Sequence, residues 1–125
     1  MIDHYNNLTD KEKSILLDGG TEPPFSGEYN DFSQLGSYVC KMCDSELFSS
    51  VSKFQSDCGW PSFDDAIQGS IRKKRDASLG RIRTEITCVN CDGHLGHVFE
   101  GEEYTKKNIR YCVNSLSLKF IPKKK

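Results

Sequence analysis

Four of the six cysteines in this chain fall into two Cys-x-x-Cys turns, and that spacing limits what the chain can fold into more than any other feature. The turns are Cys40-Lys41-Met42-Cys43 and Cys88-Val89-Asn90-Cys91. A tight turn of this kind aims two thiolates at one ion, and two such turns complete the tetrahedral sulfur cage that structural zinc prefers. The 44 residues between them (44 to 87) exceed the usual ribbon spacing, so the template is only partly met. A thioredoxin-like redox motif is one alternative, although neither pair precedes a clear helix in a βαβ pattern. Buried thiols or disulfides are another, and a reducing compartment disfavours the latter. The first residues are polar and carry no signal-peptide pattern, and no apolar run approaches a membrane span, so a cytoplasmic location is expected.

A staple of this kind suits a chain of 125 residues, which is expected to form a single domain over 1–125 with one modest core. The hydrophobic fraction of 36% and charged fraction of 28% exclude extensive disorder. A net charge of −1 argues against general affinity for nucleic acid, which needs a basic excess. The basic runs Arg72–Arg75 and Lys123–Lys125 are read as solvated loops or tails.

Thr9-Asp10-Lys11-Glu12 has the form of a capping box, so a short helix is expected to about Leu17, stopping at Gly19-Gly20. Adjacent Pro23 and Pro24 turn Thr21–Gly27 into an ordered strap. From Tyr38 onward the pattern is β-like. Ile82, Thr84 and Ile86 alternate with Arg81, Arg83 and Glu85, the period of a half-buried strand. Residues 70–73, 96–99, 109–114 and 117–121 are further strand candidates. The expected fold is mainly β: a small antiparallel sandwich or barrel with a short N-terminal helix and the four-cysteine zinc site.

Two cysteines remain. Cys58 sits in Ser56-Asp57-Cys58-Gly59-Trp60-Pro61-Ser62-Phe63, a loop broken by glycine and proline. Cys112 sits in Arg110-Tyr111-Cys112-Val113-Asn114-Ser115, where alternation puts Arg110, Cys112 and Asn114 on one face. A neighbouring guanidinium favours the thiolate, the nucleophilic form, although a lone cysteine can also be a small buried hydrophobe. His94-Leu95-Gly96-His97 follows the second turn. With four sulfurs already filling a tetrahedral site, both histidines are free for proton chemistry near neutral pH. A zinc-ribbon binding module would explain the turns but leave Cys58, Cys112 and the histidines idle. A thiol-disulfide oxidoreductase would explain the two cysteines but not the histidines.

In order along the chain, these segments resemble the type B methionine sulfoxide reductases. The matching stretches are residues 20–29 (Gly20-Thr21-Glu22-Pro23-Pro24-Phe25-Ser26-Gly27-Glu28-Tyr29), the pair Cys40 and Cys43, residues 58–63, the pair Cys88 and Cys91, His94-Leu95-Gly96-His97-Val98-Phe99, and residues 110–115. Together they span about residues 8 to 121. The resemblance implies Cys112 as nucleophile and Cys58 as resolving cysteine, joined in a disulfide after turnover. It implies Trp60, His94, His97, Arg110 and Asn114 as the residues that shape the site. A sulfoxide oxygen needs a hydrogen bond or proton as its sulfur is attacked, which is expected of His97 assisted by His94, with Trp60, Arg110, Asn114 and Phe99 binding substrate. The resemblance also implies zinc on Cys40, Cys43, Cys88 and Cys91, a fold of paired antiparallel sheets, and action on the R epimer of methionine sulfoxide in proteins or peptides. Thioredoxin is the implied reductant, and the chain is expected to act as a monomer without nucleic acid or membrane partners. Three positions depart from the family pattern or match it ambiguously: Asp57 where glycine is common, Leu116 where alanine is common, and an acidic residue to be placed among Glu100, Glu102 and Glu103.

Overall fold

The computed structural model describes residues 6–30, 32–56, 58–77, 83–103 and 105–123. Among these residues one α-helix, α1 (Asp10–Leu16), precedes nine strands. The capping box forms as expected: the Glu12 amide donates to Thr9 Oγ1 at 3.2 Å, and the Thr9 amide donates to Glu12 Oε1 at 2.8 Å. Gly19 then takes a φ of 74°, and the amides of Gly19 and Gly20 donate to the Ile15 and Ser14 carbonyls, closing the helix where the glycines were read as a stop.

The strands are β1 (Gly36–Cys40), β2 (Glu46–Ser49), β3 (Lys53–Phe54), β4 (Ser62–Phe63), β5 (Ile71–Asp76), β6 (Arg83–Cys88), β7 (His94–Glu100), β8 (Ile109–Val113) and β9 (Leu118–Pro122). They form a three-stranded sheet ordered β2-β1-β9 and a six-stranded sheet ordered β3-β4-β8-β7-β6-β5. Every pairing between them is antiparallel. The expected mainly β architecture is therefore what forms. Arg81 and Ile82, the start of the alternating segment, lie outside the described residues, as do Asp57 and the last two lysines of the basic tail.

The mid-chain basic run at 72–75 is not a loop: the strand candidate at 70–73 that it overlaps extends through it as the edge strand β5. Arg72 and Lys74 project to one side and bind Asp92 at 3.2 and 2.9 Å. Charged side chains on an edge discourage pairing with another chain, so alternation within a basic segment serves an edge as well as a loop.

Aromatic rings fill the space between the sheets. Phe48 of β2 stacks on Phe63 of β4 with centroids 4.3 Å apart, while Tyr38 of β1 meets Phe63 edge-on at 5.1 Å. Tyr111 of β8 packs against Phe48 at 5.7 Å. Tyr38, Phe48 and Phe63 are fully buried. Buried aromatics contribute more than their area when stacked or edge-on, so this cluster fixes how the sheets sit on each other. Replacing Phe48 with Ala should cost about 3–5 kcal/mol. Urea unfolding should show a lower midpoint with an unchanged slope; an unchanged midpoint would remove Phe48 from the core that joins the sheets.

Candidate active site and metal centre

The local rule of a strand places residues three apart on opposite faces, so His94 and His97 should not meet. They do meet, because β7 carries a bulge. Ile86 pairs with Gly96, but Thr87 pairs with His94, leaving Leu95 as an extra residue. The extra residue turns His94 back to the face of His97, and the rings lie 5.6 Å apart in an edge-on contact. Gly96 then lets β7 close on β8: a side chain there would collide with the Cys112 carbonyl. His97 is directly opposite Cys112 in the ladder, and Ser62 of β4 is opposite Cys112 on its other side.

The result is a cavity of about 190 Å³ whose lining includes Cys58, Trp60, His97, Phe99, Arg110, Cys112 and Asn114. Typical small-molecule sites run from roughly 300 to 1,000 Å³, so this one suits a single side chain rather than a large cofactor. Seven of the eight residues expected at the site therefore line one cavity. His94 is set behind it: it is buried, and its Nδ1 lies 2.6 Å from Glu85 Oε2. Its Nε2 has no partner among the described residues.

Cys58 and Cys112 carry free thiols that interact directly. One negative charge between two adjacent sulfurs settles on the better-solvated partner. Cys58, half-buried, is held down to about 4 by the Cys112 thiol, with further help from the Ser56 and Ser62 hydroxyls. Cys112 is pushed well above the ordinary thiol range by its hydrogen bond with Cys58 and by burial. Arg110 does pull Cys112 downward, as its neighbourhood in sequence implies, but it is outweighed. Its guanidinium forms a two-point pair with Glu102, at 2.8 and 3.1 Å, and lies 4.7 Å over the Phe99 ring. Of the three acidic candidates after the histidine strand, Glu102 is thus the one bound to Arg110.

His97 contacts Asp76 through Nε2 at 2.9 Å, and Asp76 also binds Arg83 at 3.3 Å. Burial lowers the His97 pKa below its ordinary value; Asp76 opposes this, while Arg83 and His94 reinforce it. The ring is therefore neutral at pH 7 and able to take or give a proton.

The strap read from its prolines is a clamp. The Glu22 carbonyl accepts from Trp60 Nε1 at 2.9 Å, its amide donates to Asn114 Oδ1 at 3.0 Å, and its Oε1 accepts from the Leu116 amide at 3.0 Å. One buried residue thereby holds two cavity walls, and Leu116 participates through its backbone, which any residue there can supply. Sequence reasoning missed Glu22, Asp76, Arg83 and Glu85. Arg83 and Glu85 had a signal: they form the polar face of a strand that the histidine segment follows closely.

The remaining four cysteines gather at one point. The sulfurs of Cys40, Cys43, Cys88 and Cys91 all lie within 4.8 Å of one another, with Cys40–Cys91 at 3.5 Å and Cys43–Cys88 at 3.6 Å. A tetrahedral zinc with bonds of about 2.3 Å sets sulfurs roughly 3.8 Å apart, so the cluster fits a metal ion. Both turns share one geometry. Asp44 and Asp92 each take positive φ, 65° and 61°, and their amides donate to the Cys40 and Cys88 carbonyls at 2.9 and 2.7 Å.

Titration of His97 followed by NMR should give a midpoint below 6.5, and Asp76→Asn should lower it further, because the carboxylate is the group that favours the imidazolium. A wild-type midpoint at or above 6.5 would contradict the balance of burial and charge described here.

A family model, the SelR domain, matches residues 8–122. A protein named peptide methionine sulfoxide reductase MsrB from Teredinibacter turnerae is 48% identical over 121 residues, covering 95% of this chain and 88% of its own. A protein of the same name from Acinetobacter baylyi is 52% identical, covering 89% and 80%. Another from Bradyrhizobium diazoefficiens is 48% identical, covering 93% and 84%.

Proposed function

Because this chain belongs to the SelR-domain family, the peptide methionine sulfoxide reductases of type B, we propose that it reduces the R epimer of methionine sulfoxide in proteins or peptides. The observation that carries the reading is the meeting of Cys58, Cys112, His97 and Trp60 around one side-chain-sized cavity.

A sulfoxide sulfur is a poor electrophile until its oxygen is protonated or hydrogen-bonded. Cys112 is the nucleophile, and in the resting pair it still carries the proton that the sulfoxide oxygen needs. Neutral His97 takes that proton as the sulfur attacks and delivers it to the oxygen, with His94, oriented by Glu85, behind it. The oxygen ends on Cys112 as a sulfenic acid; the substrate sulfur is reduced to a thioether and methionine leaves. Cys58 attacks the sulfenic sulfur, a 58–112 disulfide forms, and the hydroxyl departs as water once protonated. An external dithiol such as thioredoxin resets the pair by exchange. Trp60 and Phe99 offer apolar walls to the substrate's methyl group, while Arg110 and Asn114 shape the polar side. All of these residues come from one chain, which is consistent with a monomer.

Cys40, Cys43, Cys88 and Cys91 are the residues that would hold zinc, whose contribution is cross-linking rather than reaction chemistry. Thiols kept for metal suit a reducing compartment such as the cytoplasm. No helix among the described residues is long and apolar enough to cross a membrane.

Purified protein incubated with dithiothreitol and each epimer in a short peptide should consume only the R form. Cys112→Ser should abolish turnover, Cys58→Ser should release one methionine per enzyme without recycling by thioredoxin, and His97→Asn should slow the first half-reaction by about 10²–10⁴-fold. Normal turnover by Cys112→Ser, or reduction of neither epimer by intact protein, would sink the assignment. Stripping metal with a strong chelator should lower the melting temperature markedly; an identical melting curve after verified removal would show that the cluster is no structural metal site.

A further inference from the structure

Two buried serines crowd the Cys58 sulfur, and the proposed reaction gives them no task. Serine is mostly a surface residue, yet Ser56 is 7% exposed and Ser62 only 1%. Buried hydroxyls are held by partners, and here the partners are each other, the Cys58 thiol and amide, and the Trp60 carbonyl. Ser56 and Ser62 lie 2.7 Å apart through their Oγ atoms, and Ser56 Oγ donates to Cys58 Sγ at 3.1 Å. Ser62 Oγ is itself 3.5 Å from the sulfur.

The proton arithmetic favours one arrangement. The Cys58 amide donates to Ser56 Oγ at 3.4 Å, and the Ser62 hydroxyl, which can give its proton to the Trp60 carbonyl at 3.2 Å or to Ser56 Oγ at 2.7 Å, has its shorter contact with Ser56. An oxygen that accepts twice has its own single proton left to give, and the Cys58 sulfur is where it points. When Cys58 is neutral, its thiol instead donates to the Trp60 carbonyl at 3.4 Å. The surroundings have been built for the charged form as much as the neutral one.

We propose that Ser56 and Ser62 form a two-hydroxyl relay that holds the Cys58 sulfur as an anion, making both serines positioning residues for the step in which Cys58 resolves oxidised Cys112. The inference rests on the resolving role proposed above for Cys58. Ser62 is well placed for it, since it pairs with Cys112 in the sheet and so is fixed relative to both sulfurs. In that step the Cys58 thiolate donates its electron pair to the Cys112 sulfenic sulfur. The S–S bond forms, the S–O bond breaks, and hydroxide leaves to be protonated as water; the oxidising equivalent came from the sulfoxide. A neutral thiol would first have to lose its proton inside a half-buried pocket.

Other groups also face this sulfur. Cys112 is its immediate neighbour, and Arg110 acts on it through charge. Arg83 and His97 line the same cavity. The contribution of Cys112 is the larger, so the serines must be measured without it.

The experiment is a titration of Cys58 in Cys112→Ser protein, read by thiolate absorbance near 240 nm and by the pH dependence of iodoacetamide alkylation. Adding Ser56→Ala should raise the midpoint by about one to two pH units, the scale of a hydrogen bond to a charged group. Ser62→Ala should raise it less, and Ser56→Thr, which keeps the hydroxyl, should restore the original value. With Cys112 present, the same alanine changes should slow 58–112 disulfide formation after a single turnover about ten-fold. An unmoved midpoint in Ser56→Ala would overturn the relay, as would a Ser56→Thr midpoint equal to that of Ser56→Ala. If Ser62→Ala does not fold, the Ser56 series decides alone. Because the titration needs no turnover, a shifted midpoint in the Cys112→Ser series, together with reduction of neither epimer by protein that keeps Cys112, would uphold the relay while refuting the reductase reading.

Discussion

The structure depends first on the convergence of four sulfurs from two distant turns. Cys40 closes β1, Cys43 lies in the turn leading to β2, Cys88 closes β6, and Cys91 lies in the turn leading to β7. The cluster therefore ties the three-stranded sheet to the six-stranded sheet at the end where the histidine strand begins. Four thiolates confined within 4.8 Å would repel one another unless a cation shared their charge, so a metal held by this geometry would also be a cross-link. A domain of this size has limited apolar surface to bury, and fixing two sheets at one edge relieves the aromatic core of doing so alone.

From that anchor the site follows by short mechanical steps. The second turn sets the start of β7, and three residues on from Cys91 the chain reaches His94. The extra residue at Leu95 rotates His94 to the face of His97, and Gly96 admits β8 closely enough for His97 to lie beside Cys112. The strap is then pinned across the open side by Glu22, whose backbone and carboxylate hold Trp60, Asn114 and the backbone at Leu116 together. Metal turn, bulge, close-packed glycine and strap each solve a local problem, and their common product is a small cavity with two thiols facing a neutral imidazole.

Much of this was legible in the residues. The capping box, the glycine stop, the paired cysteine turns and the strand alternation are local patterns, and each formed where local physics puts it. What could not be read was non-local. Strand periodicity separates His94 from His97, and only the pairing of β7 with β6 reveals the bulge that reunites them. Arg83 and Glu85 read as the solvent face of a half-buried strand, yet the strap and β8 build the cavity over that face, so polar residues there serve Asp76 and His94. The segment supports two readings in sequence, a strand candidate at 70–73 and a solvated basic run at 72–75, and the edge strand β5 satisfies both, being extended and charged. Ser56 carried no signal, since serine in such a loop is ordinary composition, and Ser62 stood out only as part of the matching stretch 58–63, not for what its hydroxyl touches.

The division of charge between the two cavity sulfurs has a consequence for how readily each is oxidised. The thiolate, not the thiol, is what peroxides oxidise, and further oxidation beyond the sulfenic acid is irreversible for most cysteines. A half-buried Cys112 whose proton is held by its hydrogen bond with Cys58 is a poor target for stray oxidant, whereas the charge resides on Cys58, wrapped by hydroxyls. In the proposed reaction the sulfoxide changes this balance because it brings a proton acceptor of its own to His97. On the proposed reading, Cys112 becomes strongly nucleophilic only when the group that can take its proton is already in place, and the anion needed for resolution is waiting beside it. The same two sulfurs, with their charges exchanged, would leave the nucleophile exposed as a thiolate and the resolving cysteine unready.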